Sequence, residues 1–129
     1  MGLVKPNQSP KSQNGPYKGY FTDGTLESVG TFKAGRKDGE WKFYYKNGQK
    51  KAFGTYANGE FTGNWKWWRE NGKLLQEGKF TDNKQSGLWK RYQKDGSLYD
   101  EGSYDDEGKK TGEWKTYNSD GSIKSTKTY

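Results

Sequence analysis

Large rings and glycines alternate with charged and small polar residues along nearly the whole chain, and the pattern recurs at a fixed interval. An aromatic stands at Tyr17, Trp41, Trp65, Trp89 and Trp114, spaced by 24, 24, 24 and 25 residues. Two places before each comes a glycine (Gly15, Gly39, Gly63, Gly87, Gly112), and three places after it a second ring (Tyr20, Tyr44, Trp68, Tyr92, Tyr117). An Asx-Gly pair follows at Asp23-Gly24, Asn47-Gly48, Asn71-Gly72, Asp95-Gly96 and Asp120-Gly121. Asx-Gly tolerates the positive φ required at both centres of a type I′ turn, so each copy is expected to fold back as a two-residue hairpin. A second turn per copy is expected at Ala34-Gly35, Asn58-Gly59, Asp82-Asn83 and Glu107-Gly108. The period therefore predicts an all-β array of five tandem β-hairpin units of about 24 residues. These should form an elongated, twisted antiparallel single-sheet meander of about ten strands, with no helix. The units read as 15–38, 39–62, 63–86, 87–111 and 112–129, after a flexible basic and polar leader at 1–14.

With Asn47 and Gly48 at the turn, Trp41 faces Gly54 across the hairpin and Tyr56 faces Gly39. The same register sets Tyr17 against Gly30, Trp65 against Gly78 and Trp89 against Gly102, and only the last unit departs, with Lys127 opposite Trp114. Each large ring is expected to lie over the glycine that it faces, shielding bare backbone. Side-chain alternation adds Leu26, Lys50, Leu74, Leu98 and Ile123 to this structural face. The opposite face carries Lys18, Lys42, Lys66, Lys90 and Lys115 together with the rings Tyr20, Tyr44, Trp68, Tyr92 and Tyr117. Glu77 and Glu101 are expected to pair with Lys66 and Lys90 there. This stripe is either a solvated face or a surface for binding a partner, and it is the candidate partner-binding face.

Composition changes the picture in two ways. The 129 residues are only 27% hydrophobic, with a mean hydropathy of −1.41, which by itself suggests disorder. Six Trp, ten Tyr and six Phe reverse that inference, because each ring can bury on the order of 150 to 250 Å². The chain has neither cysteine nor histidine, so no thiolate or imidazole metal site, no disulfide and no relay through either side chain can be built; no cofactor and no catalytic residue are assigned. Carboxylates near turns (Glu40, Glu60, Glu113) lack the concave, desolvated site that a hydrolytic pair needs. The net charge of +7 permits acidic proteins, nucleic acid or anionic lipid as partners. Glu77, Glu101, Asp105, Asp106 and Glu107 interrupt the basic face and count against nucleic acid. No apolar run approaches the ~20 residues of a membrane helix. The compartment is left open, with the bacterial cytoplasm slightly favoured over an exported or lipid-anchored form.

The unit G-x-W-x-x-[YW]-x-x-[ND]-G-x-L-x-x-x-G-x-[YF]-x-x-G, clearest over Gly39 to Gly59 and Gly63 to Gly78, resembles the variant form of the MORN repeat. Lys50 replaces the aliphatic residue and Asn83 a glycine. Proteins built wholly of this variant are similar to bacterial antitoxins, the immunity partners of secreted polymorphic toxins. The resemblance implies a non-enzymatic binder that occludes a cognate toxin. Gly112 to Ile123 is also similar to choline-binding cell-wall repeats, which implies a glycan or choline ligand instead, and MORN proteins generally suggest anionic lipid. A ring face left exposed would be large for a monomer, so a homodimer is expected as well.

Overall fold

The computed structural model describes residues 13–129, which form ten strands and no helix. They are β1 (Gly15–Tyr20), β2 (Leu26–Lys33), β3 (Arg36–Tyr44), β4 (Lys50–Ala57), β5 (Glu60–Trp68), β6 (Leu74–Thr81), β7 (Lys84–Tyr92), β8 (Leu98–Tyr104), β9 (Lys110–Tyr117) and β10 (Ile123–Thr128). They lie in chain order in one antiparallel sheet, the meander that the period predicts. Most of the leader, residues 1–12, lies outside the described residues. Its last two residues are tied in: Gln13 O accepts from Gly35 N and Asn14 Oδ1 from Ala34 N.

The predicted register is found. Tyr17 faces Gly30, Trp41 faces Gly54, Trp65 faces Gly78, Trp89 faces Gly102, and Trp114 faces Lys127. The indoles, however, lie over different glycines from those they face. A Cβ placed on Gly54 would sit 2.0 Å from Cδ2 of Trp65, and one on Gly30 2.1 Å from Trp41. Gly78 is covered in the same way by Trp89, and Gly102 by Trp114. Each tryptophan thus leans back onto the preceding hairpin. The cause is a break in the ladder between hairpins. Pairing jumps from Val29↔Lys42 to Thr31↔Asp38, so Gly39, Glu40 and Trp41 stand against Gly30 alone. Gly39 absorbs the extra length at φ +79, a value that suits glycine. The indole fills the gap, and its Nε1–H donates to Thr31 O at 3.0 Å. The same bond recurs from Trp65 to Thr55, Trp89 to Lys79 and Trp114 to Ser103.

Neighbouring rings close over these indoles. Trp65 meets Tyr56 and Phe61 edge-on at 5.0 and 4.8 Å and stacks on Trp67 at 5.5 Å. Trp41 and Trp65 are fully buried and Trp89 and Trp114 nearly so. Each buried indole removes on the order of 200 Å² from water, worth about 5 kcal/mol by area. A single layer thereby obtains a core without a second sheet.

The Asx-Gly turns are not the type I′ turns that the sequence predicts; that geometry is found at the second turn of the first three units instead. Type I′ geometry, with positive φ at both centres, occurs between successive hairpins, at Ala34-Gly35 (51°, 78°), Asn58-Gly59 (57°, 84°) and Asp82-Asn83 (51°, 65°). At Asn47-Gly48 only the glycine is positive, and Gly48 N donates to Tyr45 O, which makes a three-residue loop. The Asn47 side chain explains the choice, because its Oδ1 accepts the amide of Gln49 at 2.9 Å. Asp23, Asn71, Asp95 and Asp120 repeat this bond.

The longer loop shifts pairing by one residue, and a bulge then restores it: Tyr44 faces Lys50 while Phe43 faces Ala52, leaving Lys51 extra. Two unforeseen irregularities cancel, which is why the tryptophan register comes out as predicted. Between turn and bulge the faces are exchanged. Lys50, Leu74 and Leu98 pair with Tyr44, Trp68 and Tyr92, so this position belongs to the lysine face and not to the structural face.

Candidate binding faces

The five predicted lysines follow the repeat aromatics (half-buried Tyr17 and the buried Trp41, Trp65, Trp89 and Trp114) by one residue and so project from the opposite side of the sheet. Between successive lysines stands one residue of the intervening strand, paired with both. Val29 lies between Lys18 and Lys42, Phe53 between Lys42 and Lys66, Glu77 between Lys66 and Lys90, and Glu101 between Lys90 and Lys115. The stripe is therefore apolar between lysines in its first half and acidic in its second.

In the first half, Phe53 is met edge-on by Tyr44 at 5.8 Å and by Trp68 at 5.0 Å. The ammonium of Lys42 stands 5.3 Å from the Phe53 centroid; that of Lys50 stands 5.7 Å from Phe53 and 5.2 Å from Trp68. The rings attract the cations through their negative faces. Lys42, Lys50, Phe53, Trp68 and Lys66 line an open groove of about 410 Å³. Glu40 reaches Lys42 at 4.0 Å, a surface pair that contributes little. Tyr20, at the start of the stripe, is exposed.

In the second half the carboxylates take a different partner from the one expected. Glu77 and Glu101 do stand across from Lys66 and Lys90, but Glu77 Oε2 accepts from the Tyr92 hydroxyl at 2.5 Å, and Glu101 accepts from Tyr117. No carboxylate lies within ion-pair distance of Lys66 or Lys90 among the described residues. A phenol fixed in the sheet offers one directed donor, whereas a lysine ammonium keeps its hydration at the surface. Burial, then the bond to Glu77, raises the Tyr92 hydroxyl well above the usual phenol range; the bond to Glu101 raises Tyr117.

The ring face also changes along the ribbon. The positions that hold Phe43 and Ala52 in the second unit hold Arg91 and buried Asp100 in the fourth, joined by two bonds, Nε to Oδ1 at 2.9 Å and Nη2 to Oδ2 at 2.5 Å. That bond raises the Arg91 pKa further. Sequence reasoning missed Phe53, Val29 and Lys50 as members of the lysine face. The first two follow from the same register that placed Glu77, while Lys50 was hidden by the bulge.

Against this geometry, the MORN repeat variant matches the chain five times in succession, at 13–34, 37–58, 61–82, 85–106 and 110–129. The chain belongs to the MORN repeat variant family. A MORN repeat is a non-catalytic repeat module of the kind used for binding. No curated protein matches the chain. Among solved structures it is similar to part of S. aureus TarM, in complex with Fondaparinux, alpha-GlcNAc-glycerol and UDP, at 16% identity and a TM-score of 0.46 over 70% of this chain and 18% of that one. It is also similar to part of a GtfA/B complex bound to UDP and GlcNAc, at 12% identity and a TM-score of 0.38 over 69% of this chain and 22% of that one. The MORN array thus spans less than a quarter of either protein.

Proposed function

We propose that this MORN-variant chain is a protein-binding module, an immunity protein that covers a cognate bacterial toxin by seating an acidic surface on the first half of its lysine face. The observation that carries this reading is the Phe53 cluster. Three half-buried rings supply contact area at small entropic cost, and Lys42, Lys50 and Lys66 surround them with positive charge. An incoming carboxylate would find ammonium groups already held over the rings, with only Glu40 at the margin of reach. The same occupation weighs against a quaternary ammonium ligand, because the chain's own lysines fill the place such a ligand would take. Fixed complementary charge favours fast and selective docking.

The test is co-expression with the product of the adjacent gene, which this reading requires to be a toxin. Copurification and restored growth are the expected result, both lost in the Lys42→Glu/Lys66→Glu chain. Failure to form a complex, or a complex indifferent to those reversals, would overturn the reading, as would equally tight binding of the chain to anionic vesicles or glycans in place of the toxin.

A further inference from the structure

We infer that the outer edges of β1 and β10 are matched surfaces for a second copy of this chain, each barred by departures from the repeat. Inside the sheet, every junction between units uses one device. The second strand of a unit carries a glycine in its interior, and the first strand of the next brings a tryptophan down on it, so close that a Cβ on Gly30, Gly54, Gly78 or Gly102 would lie 2.0 to 2.1 Å from the indole. In β10 that glycine is replaced by Lys127, opposite Trp114. A further first strand arriving at β10 would drive its ring into the Lys127 Cβ.

The other edge is barred independently. Phe21 N donates to Thr25 O, so along β1 the odd-numbered amides point to β2 and the even-numbered ones outward. Position 16 is one of the outward positions, and proline there has no N–H to offer; the other units carry Glu40, Asn64, Leu88 and Glu113. Gly15 nevertheless keeps the positive φ, +96, that Gly39, Gly63, Gly87 and Gly112 use at their junctions. Tyr17 replaces tryptophan, and its hydroxyl is turned along its own strand, 3.0 Å from a Cβ built on Gly19. The edges thus retain the repeat's backbone and lose its junction chemistry at Tyr17 and Lys127, while Pro16 removes one outward N–H from the β1 edge. Head-to-tail addition of identical units would otherwise be open-ended.

Two chains, each with one edge restored, test this. Lys127→Gly opens β10, and Pro16→Asn/Tyr17→Trp gives β1 the Gly-Asn-Trp-Lys sequence of Gly63 to Lys66. Each is expected to keep the wild-type oligomeric state alone, and the mixture to form a 1:1 complex by light scattering. Lys127→Ala is the decisive control, because it removes the charge and keeps the Cβ, and no complex is expected. Circular dichroism on the same samples reports that each chain is folded. The inference is overturned if folded chains fail to associate at millimolar concentration, if Lys127→Ala associates as well as Lys127→Gly, or if wild-type chains already add end to end.

Discussion

The two halves of the lysine face share one frame and differ at the residue between the lysines. Around Lys42 that residue is Val29 or Phe53; around Lys90 it is Glu77 or Glu101. In the first half the lysines stand among rings and their charge is available to a partner. In the second half carboxylates occupy the same sites and tie down Tyr92 and Tyr117. A repeat can therefore hold geometry constant while its surface changes from sticky to self-satisfied, and the site is set by what interrupts the ladder more than by the ladder itself.

If the frame is common to both halves, damage to it should cost the same at either end of the interior. Trp65→Ala and Trp89→Ala are each expected to lower stability by about 3 to 5 kcal/mol in chemical denaturation. A cost confined to one of them would break the comparison. Gly54→Ala and Gly78→Ala force a Cβ against an indole and should each cost about 1 to 3 kcal/mol by the same measurement. The surface should behave unequally. Lys42→Glu/Lys66→Glu is expected to weaken binding of the proposed protein partner at least tenfold, about 1.4 kcal/mol, in calorimetric titration, and Lys90→Glu/Lys115→Glu by less than about threefold. The smallest effect is a pH dependence of stability. Tyr92 has its pKa raised from 10.0 on folding, so the stability it contributes is fully present below pH 10 and is lost as pH rises towards the folded value. Glu77→Gln should lower the pKa of Tyr92 in a tyrosinate absorbance titration and flatten the loss of stability at alkaline pH. An unchanged titration would show that burial alone sets the shift.

Much of this frame was legible in the residue pattern, namely the strand count, the meander and the pairing of Trp41 with Gly54. Which glycine each indole covers was not, because it depends on a ladder break at Gly39 that alternation does not report. The type I′ turn expected at Asx-Gly is a three-residue loop because Asx-Gly suits both; the choice is made by the Asn47 side chain and its bond to Gln49. The bulge at Lys51 concealed Lys50, which joins the Phe53 cluster from a position that simple alternation assigns to the other face. The candidate stripe itself was visible as a recurring Lys and ring. Its division into two halves required the cross-strand partners to be read for every lysine, not only for the two beside glutamates.

The single 25-residue interval has a practical consequence. The extra residue is absorbed at Glu107-Gly108, where a three-residue loop closed by Asp105 replaces the tight turn used by the earlier units, and Tyr104 still pairs with Lys110. That margin of the ribbon already accepts added length without losing alignment, which makes it the natural place to graft a reporter tag or an epitope when the protein is tethered or imaged.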